Sequence, residues 1–170
     1  SERLMQLARA EGGRLRLEHA SDLRLVARIL VDELSRVVGG ERLTLTLPAE
    51  PVMSDLDPDV FAIVLRNLVD NALRHGAPDA PVQLALTREG VLTVGNEGPV
   101  VPSAVLSRLV DRFERADAQS EGSGLGLTIV QAMAQRVDSA LVLRSPRPGQ
   151  TTGFEASLAL PLSEGDPPLR

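Results

Sequence analysis

Asp57-Pro58-Asp59-Val60-Phe61-Ala62-Ile63-Val64-Leu65-Arg66-Asn67-Leu68-Val69-Asp70-Asn71-Ala72-Leu73-Arg74-His75-Gly76 is the stretch on which the fold turns. Aspartate before proline sets an N-cap side chain ahead of a residue whose fixed φ suits the first helical position, where its missing N–H is no loss. Val60, Phe61, Val64, Leu65, Leu68, Val69, Ala72 and Leu73 then recur with a 3.6-residue period up to Gly76, which predicts a long helix with one buried face. Asn67, Asn71 and Arg74 stand at i, i+4 and i+7, with His75 at the end, so the first three share a face opposite or flanking the apolar stripe. Asparagine is a middling helix former, and two on one face ask for a reason. A solvated polar face is one. The other is a site in which the amide oxygens of Asn67 and Asn71 ligate Mg²⁺ while Arg74 and His75 meet phosphate oxygens.

Outward from this helix the chain alternates between periods. Before it, Arg14 to Leu17 reads as a short edge strand, and Ser21 or Asp22 caps a helix carried by Leu23, Val26, Ala27, Leu30, Val31 and Leu34 and stopped at Gly39-Gly40. Leu43, Leu45 and Leu47 alternate with polar residues as a half-buried strand, and Val52-Met53-Ser54 is a further short one. After it, Val82-Leu84-Leu86 and Val91 to Val94 make a hairpin through Arg88-Glu89-Gly90. A Gly-Pro loop leads to a short helix near Ser103–Leu109, and Asp111–Ser123 is polar and weakly periodic, hence a mobile loop. A helix over Leu125–Arg136 and two strands near Ala140–Arg144 and Phe154–Leu160 close the domain. Helices set apart from hairpin-linked strands predict an α+β fold: a two-layer sandwich, a mixed sheet with helices on one face.

At 170 residues the chain is one domain's worth. It is 43% apolar but only 2% aromatic, with three Phe and neither Trp nor Tyr, so the core rests on aliphatic residues and an aromatic platform for single-stranded nucleic acid is excluded. The absence of Cys excludes disulfides, thiolate metal sites and cysteine catalysis. A net charge of −5 argues against general polyanion binding and leaves room for a local basic pocket. All 18 basic residues are Arg, so every fixed cation in a site is a guanidinium. No apolar run reaches the length of a membrane span. The first residue is not Met and the chain opens inside a helical pattern (Leu4, Leu7, Ala8), so it is expected to be a piece of a longer protein. The tail from Ser163 is expected to lack fixed structure.

Two further elements bear on chemistry. Gly122-Ser123-Gly124-Leu125-Gly126-Leu127 stands where a polar loop becomes a helix. Glycines there let backbone N–H groups approach a phosphate, and the helix N-terminus adds its positive end. No Gly-Lys-Ser/Thr follows and no strand leads directly in, so neither the P-loop nor the dinucleotide fingerprint applies. Val94-Gly95-Asn96-Glu97-Gly98-Pro99 is a strand end breaking into a loop. It is an ordinary turn, or a place where a polar side chain meets a base edge.

In this order the elements resemble the ATP-binding catalytic domain of bacterial sensor histidine kinases, across nearly the whole chain. Asn67 to His75 resembles the family's N box, Asn96-Glu97-Gly98-Pro99 its first glycine box, and Asp111-Arg112-Phe113-Glu114-Arg115-Ala116-Asp117 its F box. Gly122 to Leu127 resembles the second glycine box, and Gly149 to Pro161 the last glycine region and closing strand. The resemblance implies a Bergerat-type fold, an ATP lid between the F box and the second glycine box, and a division into residues 1–13 (the end of a dimerisation helix), 14–162 (the ATP-binding domain) and a tail, 163–170. It also implies ATP and Mg²⁺ as cofactors, with Asn71 and Asn67 at the metal and Asn67 and Arg74 in catalysis. Arg74, His75, Gly122, Ser123, Gly124, Leu125, Gly126, Leu127 and Thr152 are expected at the nucleotide, as are Asn96, Gly98, Phe113 and Arg115.

In the wider superfamily, hydrolysing members carry a Glu four residues before the magnesium Asn as base for water. Here that place is held by Asn67, which has no basic carboxylate. The resemblance therefore implies slow hydrolysis and transfer of the γ-phosphoryl to a histidine on an upstream dimerisation domain, with a homodimeric parent, a response regulator as partner, and no nucleic acid. It implies a cytoplasmic domain of an inner-membrane sensor. His19, in a connector, reads as a surface residue. Two departures stand out. The first glycine box usually reads Asp-x-Gly-x-Gly, where this chain has Asn96, Gly98 and Val100, and Val137-Asp138-Ser139 replaces a glycine-rich helix stop. Asn96 keeps one carbonyl acceptor for the adenine amino group without charge assistance. The alternative is an interaction module of the same fold with weak or no nucleotide binding.

Overall fold

A computed structural model describes residues 2–39, 41–111 and 125–163. The elements run α1 (Glu2–Gly12), β1 (Arg16–Asp22), α2 (Leu23–Val38), β2 (Leu43–Thr46), β3 (Met53–Leu56), α3 (Pro58–His75), β4 (Val82–Leu86) and β5 (Val91–Asn96). They continue with α4 (Ser103–Asp111), α5 (Leu125–Arg136), β6 (Val142–Arg144) and β7 (Phe154–Ala159).

Five strands form one sheet in the order β2-β4-β5-β7-β6. β2 runs parallel to β4 and the other neighbours are antiparallel, the mixed sheet expected. The pleat sends Val82, Leu84 and Leu86, then Leu92 and Val94, then Phe154, Ala156 and Leu158 into one core. The helical layer answers with Leu23, Ala27 and Leu30 of α2, with Val60, Phe61, Val64, Leu65 and Leu68 of α3, and with Leu127, Ile129, Val130 and Met133 of α5. The caps read from sequence are present. Asp57 accepts the N–H of Asp59 and Pro58 opens α3, while Asp22, rather than Ser21, caps α2 by accepting the N–H of Arg24. At the end of α5, Asp138 adopts φ 59°, the left-handed position a glycine commonly takes there, and Ser139 donates back to the Ala134 carbonyl. The replaced glycine stop is therefore a structural variation.

The structure corrects the reading before α3. The strand placed at Arg14–Leu17 runs over Arg16–Asp22, so His19 sits in a strand, although exposed. β1 also stays out of the main sheet: it pairs antiparallel with β3 in a separate two-stranded ribbon. Burial on Asp22 would by itself raise its carboxyl pKa. Bonds from the Arg24 side chain and from the N–H groups of Val52 and Arg24 outweigh that and hold it below the ordinary value.

α1 packs on this body. Ala10 is fully buried, the Arg136 guanidinium donates to the carbonyls of Arg9 and Ala10, and Arg9 pairs with Asp57 at 2.8 Å.

Candidate nucleotide site

α3 ends beside the loop that follows β5, and the two frame a cavity of about 260 Å³. Asn71 and His75 line it from α3, Pro99 to Pro102 from the loop, Val105 and Leu109 from α4, and Phe154 from β7. Apart from the Asn71 amide and the His75 ring, this lining is apolar. It falls just below the ~300–1,000 Å³ usual for whole small-molecule sites, a size that suits a flat heterocycle with the rest of the ligand projecting out.

Asn96 ends β5, directly across from Phe154 of β7. Its side chain is on the helix-facing side of the sheet, 2% exposed. Nδ2 donates to the Glu97 carbonyl at 3.2 Å, while Oδ1 is buried with no partner. A buried acceptor without a donor is costly, about 1–3 kcal/mol. It is the kind of defect that a bound donor repairs. Asn96 does not itself line the cavity; its strand partner Phe154 does, and Gly76, whose added Cβ would come within 3.2 Å of the Asn96 amide, follows His75 directly.

A second hollow of only about 10 Å³ lies at the start of α5, between Arg3, Asn67, Asp70, Asn71, Arg74, Gly126 and Leu127. Asn71 lines both hollows, so its amide joins the base-sized cavity to the cationic corner. Asn71 is half-buried, and among the described residues no hydrogen bond engages that amide, whose oxygen is of the kind a hard cation takes. No group of three or more His, Cys, Asp or Glu able to hold a metal stands among the described residues. An ion here would take its ligands from amide oxygen, phosphate and water.

The N-box residues divide between these places. Arg74 lines the corner and pairs with Asp70 at 3.2 Å. His75, expected beside it at the phosphates, lines the larger cavity instead. Asn67 is buried rather than on an open polar face. Its Nδ2 donates to the Ile63 carbonyl at 2.8 Å and to Gln6 Oε1 at 3.1 Å, and Oδ1 faces Gly126, whose added Cβ would approach it to 3.0 Å. Leu127 is a core side chain. Thr152 stands exposed, its carbonyl accepting the Arg147 N–H, and it lines neither hollow. Phe113, Arg115, Gly122, Ser123 and Gly124, with most of the F box and residues 164–170 of the tail, lie outside the described residues; Leu125 opens α5.

Sequence reasoning missed Arg3. Its guanidinium reaches Asp70 at 2.6 Å and lies over Gly126, where an added Cβ would come within 2.5 Å of it. The corner thus holds two guanidinium groups around one carboxylate at the positive end of α5, an excess of positive charge suited to an anion. Asp70, four residues before Arg74, was visible as an i, i+4 partner; nothing in the sequence ties Arg3 to either.

The model of the histidine kinase-, DNA gyrase B- and HSP90-like ATPases matches residues 56–164. The chain belongs to this ATPase family. Its relatives are sensor kinases: a probable sensor histidine kinase TcrY of Mycobacterium tuberculosis is 34% identical over 176 aligned residues, covering 98% of this chain and 36% of that protein. The sensor protein BasS of Escherichia coli is 30% identical, covering 92% and 44%. The chain thus spans less than half the length of either. Among solved structures, the mycobacterial sensor histidine kinase MprB aligns with TM-score 0.66 at 23% identity over 85% of this chain and 97% of that one. Full-length ShkA in complex with AMPPNP aligns with TM-score 0.68 at 20% identity over 99% and 36%. At those identities the likeness is one of fold. Membership of this family implies ATP binding by the domain.

Proposed function

We propose that this domain binds ATP with Mg²⁺ and donates the γ-phosphoryl to a histidine on a dimerisation domain of the same longer, dimeric sensor kinase, from which it passes to a response regulator. Such a domain works on the cytoplasmic side, where ATP is. In the described residues no helix is long and apolar enough to cross a membrane.

The observation that carries the reading is the unpaired Oδ1 of Asn96. As an acceptor it matches the exocyclic amino group of adenine and opposes the keto oxygen of guanine. Asn71, between the two hollows, would ligate Mg²⁺, which supplies charge neutralisation along the phosphates. Arg74 and the backbone N–H groups at the start of α5 would hold phosphate oxygens, and positioning and charge stabilisation are what phosphoryl transfer needs from a protein. In the transfer itself a ring nitrogen of the acceptor histidine bonds the γ-phosphorus as its bond to the bridging oxygen breaks and ADP leaves.

Among the described residues the corner offers no free base for hydrolysis: Asn67 presents an amide, and Asp70, the one carboxylate among them that lines it, is engaged by Arg3 and Arg74. Neither histidine here suits the acceptor's part: His19 is exposed on β1 and His75 lines the base cavity. Calorimetric titration with ATP-Mg²⁺ against GTP-Mg²⁺ tests the proposal. ATP should bind and GTP should not. Equal affinities, or none for ATP, would refute it and leave the interaction-module alternative.

A further inference from the structure

The wall of the base cavity is a loop with two prolines, Pro99 and Pro102, which have no N–H to anchor them. Two hydrogen bonds hold this loop from the connection between β6 and β7, and a third braces that connection between them. The Val101 N–H donates to Ser145 Oγ at 2.8 Å, the Ser145 hydroxyl donates to the Gly153 carbonyl, and the Gly153 N–H donates to the Gly98 carbonyl at 2.8 Å. Ser145 is thus a relay, accepting from the cavity wall and donating to the residue that also holds the wall.

The connection is itself clamped to the sheet. Arg147 lies across Gly95, donates to Gln83 Oε1 at 2.6 Å and stands 3.8 Å from Glu155 Oε2, on the face away from the helices. Gly153 has φ +88°, and an added Cβ would come within 2.7 Å of the Asn96 carbonyl. So the connection touches the backbone of Asn96 and ties down the loop that follows it. The Ser145 hydroxyl and the Gly153 N–H are the two groups through which this connection holds the cavity wall.

We infer that Ser145 is a positioning residue of the nucleotide site: its hydroxyl fixes the Pro99–Val101 wall of the cavity that takes the base. This rests on the nucleotide reading above. The bland alternative is that Ser145 only satisfies backbone groups in a loop. The two differ in what the ligand feels, because a wall that touches the base alters adenosine and ATP alike, whereas a general loosening of the fold lowers the melting temperature.

The experiment compares Ser145→Ala and Ser145→Thr with the wild-type chain, titrating adenosine and ATP-Mg²⁺ and following exchange of the Val101 amide without ligand. Ser145→Ala should weaken both ligands by a similar factor, about five- to tenfold for the loss of about one hydrogen bond's net contribution, and speed Val101 exchange. Ser145→Thr, which keeps the hydroxyl, should restore both. Wild-type affinity for adenosine in Ser145→Ala, a loss confined to ATP, or failure of the threonine to restore binding would each overturn the inference while the nucleotide reading stood. If the wild-type chain binds neither ligand, the nucleotide reading falls and takes this one with it.

Discussion

Replacing Asn96 by leucine, nearly its equal in size, should move stability and affinity in opposite directions. Without ligand, the wild-type side chain gains one bond, Nδ2 to the Glu97 carbonyl, and carries one buried unpaired acceptor, Oδ1. The bond contributes about 1 kcal/mol and the orphan costs about 1–3 kcal/mol. Leucine removes both, and the Glu97 carbonyl keeps its bond from the Ala77 N–H at 2.9 Å. The balance lies between no change and about 2 kcal/mol of added stability, a melting temperature unchanged or raised by up to roughly 8 °C for a domain of this size. With ATP, the adenine amino group would be buried facing a methyl group. That loss of about 1–3 kcal/mol is roughly 5- to 140-fold in affinity at 1.4 kcal/mol per decade. Asn96→Asp is the complement. It supplies a charged acceptor, tightening ATP by roughly 2- to 30-fold. Its second oxygen meets the Glu97 carbonyl where an amino group now donates, so the unliganded domain should melt lower. Thermal melts and calorimetry on the three chains suffice. ATP affinity unchanged in Asn96→Leu, or a melting temperature that falls in step with affinity, would refute the assignment of Oδ1 to the base.

Asn71→Ala should leave the fold intact, since no hydrogen bond is lost among the described residues and alanine is the better helix former; it should weaken ATP far more in Mg²⁺ than in chelator, by calorimetry in both buffers. Arg3→Ala leaves one guanidinium against one carboxylate at the corner. A part-exposed charge contact contributes at most about 1 kcal/mol, so ATP-Mg²⁺ should weaken by up to about fivefold by calorimetry, and unchanged or tighter binding would take Arg3 out of the anion site. Asp22→Ala removes the acceptor for the Arg24 and Val52 N–H groups and should destabilise the domain by about 1–3 kcal/mol at pH 7 in urea titrations. Because the folded-state pKa of Asp22 lies below the ordinary carboxylate value, its stabilisation is complete above the unfolded pKa and is lost as pH falls through the folded one. The gap between wild type and variant should therefore close below about pH 4, and a constant gap from pH 7 to pH 3 would contradict the ionised cap.

α3 was legible because everything that makes it a helix is local: the Asp57-Pro58 start, the 3.6-residue apolar spacing and the stop at Gly76 lie within one stretch. The β4–β5 hairpin was legible for the same reason, its turn and its alternation being neighbours in the chain. Of the candidate site, the sequence by itself marked Asn71 and Arg74 by the helix face they share and Asn96 by its place at a strand end. It did not show that Asn67 is buried against Gln6 and Gly126 while Asn71, one turn on, stays open, nor that His75 turns to the base cavity and Arg74 to the corner. Those outcomes depend on which elements pack over α3, and α1 and α5 approach it from opposite ends of the chain. The pairing of β1 with β3 outside the main sheet was likewise undetermined, because an alternating strand carries no record of its partner. Arg3 over Gly126 and Ser145 beneath the cavity wall are contacts across 123 and 44 residues of chain. A side chain's reach to such a neighbour is set by the packed backbone, and only the tertiary structure decided it.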